Sequence, residues 1–130
     1  MARIDYFDDP DAPTPNSIVP AAVGCVVDDQ GRLLLEHRVD NDLWALPGGT
    51  HDFGESIEQT VVREIREETG LNVEVTGLVG IYTDPRSLIA YSDGEVRQQF
   101  TLSFRCRLLG GEMRKDSESH ELRWVASSEL

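Results

Sequence analysis

The stretch GTHDFGESIEQTVVREIREETGL, residues 49–71, carries the features on which the fold turns. Ser56 followed by Gln59 forms a capping box, in which the two side chains satisfy free N–H groups at a helix start. Gly70 supplies the stop, because glycine takes the left-handed conformation that closes a last helical turn. Together they predict a helix of about thirteen residues. At about 100° per residue, Ile57, Val61, Val62 and Ile65 fall on one apolar stripe that needs a sheet or a second helix to cover it. On the same wheel Glu67 and Glu68 lie about 60° and about 40° to either side of Glu64, so three carboxylates share an arc of about 100° beside that stripe. Carboxylates crowded at the edge of a core need compensating positive charge. Arg63 and Arg66 supply part of it, and a hard divalent cation suits clustered carboxylate oxygens better.

Taken alone, such a helix is equally well explained as a solvated face with weak ion pairs. The preceding LPGGTHDFGE favours a site: Pro47, Gly48, Gly49 and Gly54 make a loop whose backbone can approach a ligand closely. Upstream, residues 1–20 are acidic and carry Pro10, Pro13, Pro15 and Pro20, which predicts an arm with regular structure beginning only at Ala21. Residues 21–130 then form the domain. The valine-rich run 21–27, the DDQG turn and RLLLEHR predict a hairpin. Downstream, NVEVTGLVGIYTD has strand composition, and QFTLSFRCRL alternates apolar with polar residues as a half-covered strand does. Gly110 and Gly111 mark a turn and ELRWVA one more strand. Ser127 and Ser128 have the character of helix caps with no helix after them, which leads us to expect a C-terminal helix that is truncated or missing, and a native chain that continues beyond Leu130.

At 130 residues and 39% hydrophobic content the chain suffices for one packed domain. Twelve Lys and Arg against 24 Asp and Glu give a formal net charge of −12, which argues against a nucleic-acid partner held by phosphate contacts. A small phosphorylated substrate remains compatible if divalent cations neutralise both sides. Cys25 and Cys106 lie in apolar stretches without metal-ligand spacing, as free thiols in a reducing interior would. The N-terminus lacks the pattern of a leader, and no apolar run approaches the roughly 18 residues that span a bilayer. We therefore expect a soluble cytoplasmic protein without a membrane partner.

Gly49, Glu55, Arg63, Glu64, Ile65, Glu67, Glu68, Gly70 and Leu71 fill every specified position of G-x5-E-x7-R-E-U-x-E-E-x-G-U, where U is aliphatic. On these residues the chain resembles the Nudix hydrolases. The resemblance implies an α/β fold, an α/β/α sandwich with a mixed β-sheet, and hydrolysis of a nucleoside diphosphate linked to another group. It also implies that Glu64, Glu67 and Glu68 bind Mg²⁺ or Mn²⁺ with the backbone carbonyl of Gly49 or its neighbour, and that Arg63 and Glu55 orient loop and helix. The general base stays open between Glu64 and Glu68 within the box and Asp116, Glu118 or Glu95 outside it.

The box does not choose the substrate. Arg38, Phe53, Arg86 and Tyr91 are candidates for binding it, with Tyr82 also in range; Trp44 reads as core packing. Pro85 lies fifteen residues after Gly70, near where a proline marks many ADP-ribose-cleaving members, although a simple turn explains it equally well. ADP-ribose or a nucleotide sugar is slightly favoured. A MutT-like action on nucleoside triphosphates, including oxidised ones, is the main competitor, followed by a nucleotide sensor that binds without cutting. The acidic arm is a candidate for crossing to a second subunit in a homodimer, and an unstructured tail explains the same composition.

Overall fold

The structure is a computed structural model that describes residues 2–130. The strands before the helix are β1 (Arg3–Phe7), β2 (Ser17–Ile18), β3 (Ala21–Val27), β4 (Leu33–Arg38), β5 (Trp44–Ala45) and β6 (Gly48–Thr50). Helix α1 (Ile57–Thr69) follows, and then β7 (Leu71–Tyr82), β8 (Ser87–Tyr91), β9 (Val96–Gln98), β10 (Thr101–Gly111) and β11 (Ser119–Val125).

The larger sheet runs β11-β4-β3-β10-β7, with β5 paired to β4 and β6 to β3. It is mixed, because β10 is parallel to β3 from Thr101↔Ala21 to Arg107↔Val27 and antiparallel to β7. The expected hairpin of β3 and β4 exists only at its tip, where Val27 pairs with Leu33. Beyond the tip the strands part: β6 takes the start of β3 through Ala21↔Thr50, Ala22↔Gly49 and Val23↔Gly48, while β4 pairs with β5 and β11. The PGG loop is thereby stitched into the sheet beside the helix.

Helix α1 begins and ends where its end signals require. Ser56 accepts from the Gln59 N–H, the Gln59 side chain accepts from the Ser56 N–H, and Gly70 closes the helix at φ 77° with its N–H bonded to Arg66 O. Its apolar stripe covers the sheet: Val61 and Ile65 are fully buried with Ala22, Val26, Phe104 and Cys106. Burial of Val61 and Ile65 contributes on the order of 1.5–3 kcal/mol each relative to exposure. Gly24 permits the close approach, since a Cβ there would stand 2.5 Å from Ile65 Cδ1. Cys25 and Cys106 are free thiols.

The N-terminal segment departs from expectation. Residues 3–7 pair along their whole length with β8, and Ser17–Ile18 pair with β9, giving a second sheet in the order β1-β8-β9-β2. Regular structure thus begins before Ala21. Pro10, Pro13 and Pro15 fall in the connection between β1 and β2, where no ladder hydrogen bond is asked of them. Asn16 pins that connection, donating from Nδ2 to Gly94 O at 3.1 Å and accepting from the Val96 N–H at 2.8 Å.

After β11 a 3₁₀ turn spans Ser127–Glu129, with Ala126 rather than a serine at its N-cap. Among the described residues α1 is the only α-helix, and no helix is long and apolar enough to cross a membrane.

Candidate active site

Sheet, helix and small sheet enclose a cavity of about 660 Å³, a volume in the usual range for small-molecule sites. Glu64, Glu67 and Glu68 enter it from α1, Gly48 and Gly49 from β6, and Asp116 and Glu118 from the segment before β11.

Glycine at position 49 leaves the Glu64 carboxylate its place: a Cβ there would lie 2.5 Å from Glu64 Cδ and 2.7 Å from both carboxylate oxygens, so the Glu64 side chain would have to shift. The neighbouring Gly48 N–H donates to Glu68 Oε2 at 2.9 Å. Glu68 is 4% exposed, and burial, followed by the charges of Glu36 and Glu64, pushes its carboxyl up to about 9. Burial also raises the Glu64 carboxyl, while Arg63 opposes the rise.

Arg63 is the hub beside the acids. Its Nε and Nη2 donate to the two oxygens of Glu55 at 2.6 and 3.0 Å, and Nη1 donates to Glu64 at 2.9 Å and Glu67 at 3.3 Å. Nη2 also reaches Thr50 O at 3.3 Å, fixing the loop against the helix. The bond from Arg63 holds the Glu55 carboxyl down at about 2. Thr60 extends the brace, donating to Glu55 Oε1 at 3.0 Å and lying 2.7 Å from His51 Nδ1. Glu55 and Arg63 do not line the cavity, but Arg63 contacts Glu64 and Glu67, which do.

Among the described residues no three His, Cys, Asp or Glu side chains stand together as a ready-made cation cage; the Arg63 guanidinium contacts two of the three box acids instead. The donors nevertheless fit a hard divalent cation in kind. They are oxygens, several are carboxylates, and the bare Cα of Gly49 leaves the Glu64 carboxylate its room.

Glu36 was not singled out from the sequence, although it shares the inward period of β4 with the buried Leu34. It is 2% exposed, accepts from Arg38 Nη1 and Ser119 Oγ at 3.3 Å each, and burial raises its carboxyl to about 7. Arg38 lines the cavity, as expected for a substrate-binding candidate, but its Nε and Nη2 are held by Asp40 at 2.8 and 2.7 Å.

The other binding candidates divide. Tyr91 lines the cavity. Phe53 does not: it is fully exposed, because Asp52 and Glu55 of the same turn face Arg63 and leave Phe53 pointing outward. Arg86 also lies outside the cavity, captured by Asp84 two residues away at 3.0 and 2.8 Å and stacked 4.9 Å over Phe7. Pro85 sits within the turn that the Ser87 N–H closes on Asp84 O at 3.1 Å. Trp44 is half-exposed and stacks on His37 at 4.9 Å, with Arg123 4.8 Å over its ring.

Comparison with known proteins agrees with this architecture. The NUDIX domain family model matches residues 18–130, and the chain belongs to that family. It is 40% identical over 111 residues to a MutT-like protein of Streptomyces ambofaciens, covering 85% of this chain and 65% of the relative. It is 35% identical over 113 residues to an ADP-ribose pyrophosphatase of Methanocaldococcus jannaschii, covering 84% and 63%. The chain thus spans a little under two thirds of the length of these relatives. Among solved structures, an ADP-ribose pyrophosphatase of Streptococcus suis superposes with a TM-score of 0.67 at 29% identity, covering 86% of this chain and 76% of that one.

Proposed function

We propose that the chain is a divalent-cation-dependent hydrolase that cleaves a nucleoside diphosphate linked to another group, with ADP-ribose or a nucleotide sugar favoured. The observation that carries this is the convergence of Glu64, Glu67 and Glu68 on a cavity of nucleotide size, against a loop whose glycine makes room for the Glu64 carboxylate. Two relatives named as ADP-ribose pyrophosphatases support the substrate class.

Glu64, Glu67 and Glu68, with the Gly49 carbonyl, would hold Mg²⁺ or Mn²⁺. When bound, the cation supplies charge for the diphosphate and lowers the pKa of a coordinated water. The chain's own residues prepare that end of the cavity. Arg63 and Glu55 hold loop and helix in register. The Gly48 N–H donates to one Glu68 oxygen and helps to orient the carboxylate. Glu64, Glu68, Glu95, Asp116 and Glu118 all line the cavity, so each is a candidate for taking the proton of the attacking water.

The alternative substrate is a nucleoside triphosphate, supported by the MutT-like relative. Hydrolysis with Mg²⁺ of ADP-ribose, nucleotide sugars, dNTPs and 8-oxo-dGTP, with chromatography of products, separates the two. AMP plus ribose 5-phosphate is the expected outcome; a nucleoside monophosphate plus pyrophosphate supports the MutT-like activity instead. A protein that binds nucleotides and cleaves none of them would be a sensor, and the hydrolase assignment would fail.

A further inference from the structure

Residues 2–17 precede the stretch matched by the family model, yet β1 reaches the cavity through Arg3 and Asp5. Arg3 donates from Nε and Nη2 to Asp5 at 3.1 and 3.0 Å, and its Nε lies 3.8 Å from Asp40, the carboxylate that holds Arg38. From β9, Arg97 lies 4.7 Å over the Tyr91 ring and donates from Nε and Nη2 to Glu95 at 3.0 and 2.9 Å. Ser17 of β2 braces the same carboxylate at 2.7 Å. The Arg3 and Arg97 side chains are 15% and 19% exposed, so their positions are fixed by packing as well as by pairing.

The two walls of the cavity differ in charge. On one stand Glu64, Glu67, Glu68, Asp116 and Glu118, a surplus of anions suited to cations and phosphate. On the other, each arginine is matched by its own carboxylate, Arg3 by Asp5 and Arg97 by Glu95, with Gln98, Gln99 and the Tyr91 ring between and around them. A wall with donors and acceptors in balance and an aromatic face offers no surplus positive charge for a second phosphate. It suits a neutral, polar group with a planar face: the nucleobase of a nucleoside.

We propose that the small sheet is the nucleoside-recognition wall of the site, with Arg97 stacked on Tyr91 as its specificity-determining residue and Arg3 of the N-terminal strand as a second contributor. The inference rests on reading the acidic wall as the phosphate end, and it makes the substrate nucleoside-containing whichever bond is cut.

The test is calorimetric titration of the full chain with AMP, and separately with inorganic pyrophosphate plus Mg²⁺, for the wild type and Arg97→Gln, Arg97→Lys and Arg3→Gln. KM and kcat are measured in parallel on any nucleotide that is turned over. Arg97→Gln should weaken AMP about tenfold, as loss of a partly desolvated cation–π and hydrogen-bonding group does, and leave pyrophosphate within about twofold. KM should rise with kcat nearly unchanged. Arg97→Lys keeps the charge and loses the planar fork, so it should not restore AMP binding; Arg3→Gln should shift AMP in the same direction by less. Unchanged AMP affinity, equal losses of AMP and pyrophosphate, full rescue by lysine, or a wild type that binds no AMP would each overturn the proposal. A wild type that binds AMP through Arg97 and hydrolyses nothing would sink the hydrolase assignment and leave this one standing; nucleotide hydrolysis with a KM indifferent to Arg97 would do the reverse.

Discussion

Gly49 lies directly under the Glu64 carboxylate, so close that a Cβ at position 49 would stand 2.5 Å from Glu64 Cδ. The clash falls on the end of a side chain, which can swing away at little cost to the fold. Gly49→Ala should therefore melt close to the wild type and lose about 10- to 100-fold in Mg²⁺ affinity or Mg²⁺-dependent turnover, as displaced metal-site neighbours do. A variant with wild-type activity would separate Gly49 from the acid site.

The pairing of Glu55 with Arg63 gives an acid limb to stability. Arg63 holds the folded Glu55 carboxyl at about 2, below an unfolded glutamate near 4.3, so its contribution is present above about pH 4.3 and is lost as pH falls through about 2. Thermal melts between about pH 5 and pH 2 should fall less steeply for Glu55→Gln than for the wild type. Parallel curves would contradict the assignment.

Glu36 and Glu68 act in the opposite direction. Burial raises them to about 7 and about 9, so in cation-free protein they bind protons more tightly folded than unfolded. That contribution is full below about pH 4.3 and is lost as pH rises through about 7 and then about 9. In EDTA the melting temperature should drop from pH 6 to pH 9, and Glu68→Gln should flatten the drop. A wild type equally stable at both values would count against this effect of burying the two carboxyls.

Ile65 couples the site to the core, because the helix that carries the acids is held to the sheet by Val61 and Ile65. Ile65→Ala should cost about 2–5 kcal/mol in urea unfolding. A loss under about 1 kcal/mol would mean that the helix is anchored mainly by its polar contacts.

Much of this was legible in the sequence, for a physical reason. Ser56, Gln59 and Gly70 act within one or two turns of the chain, so the helix and its acids follow from local chemistry. The strand pairings do not. That β3 leaves β4 for β6, or that residues 3–7 pair with residues 87–91, is decided by contacts between distant segments, and the prolines of the N-terminal connection pointed away from the second. Glu36 was hidden for a similar reason: one glutamate on a short strand looks solvated until β11 closes over it through Ser119. Phe53 and Arg86 have side chains suited to a nucleotide, but their neighbours Asp52, Glu55 and Asp84 decide where they point.

The most direct test of the central claim is the turnover of Glu67→Gln at saturating Mg²⁺. Glu67 is half-exposed, and its one hydrogen bond among the described residues comes from Arg63 at 3.3 Å, so the substitution should leave the fold unharmed. We expect a loss of about 100-fold or more in kcat on whichever nucleotide the wild type cleaves, with an unchanged melting temperature. Full activity in that folded variant would contradict the assignment of the box carboxylates to the chemistry.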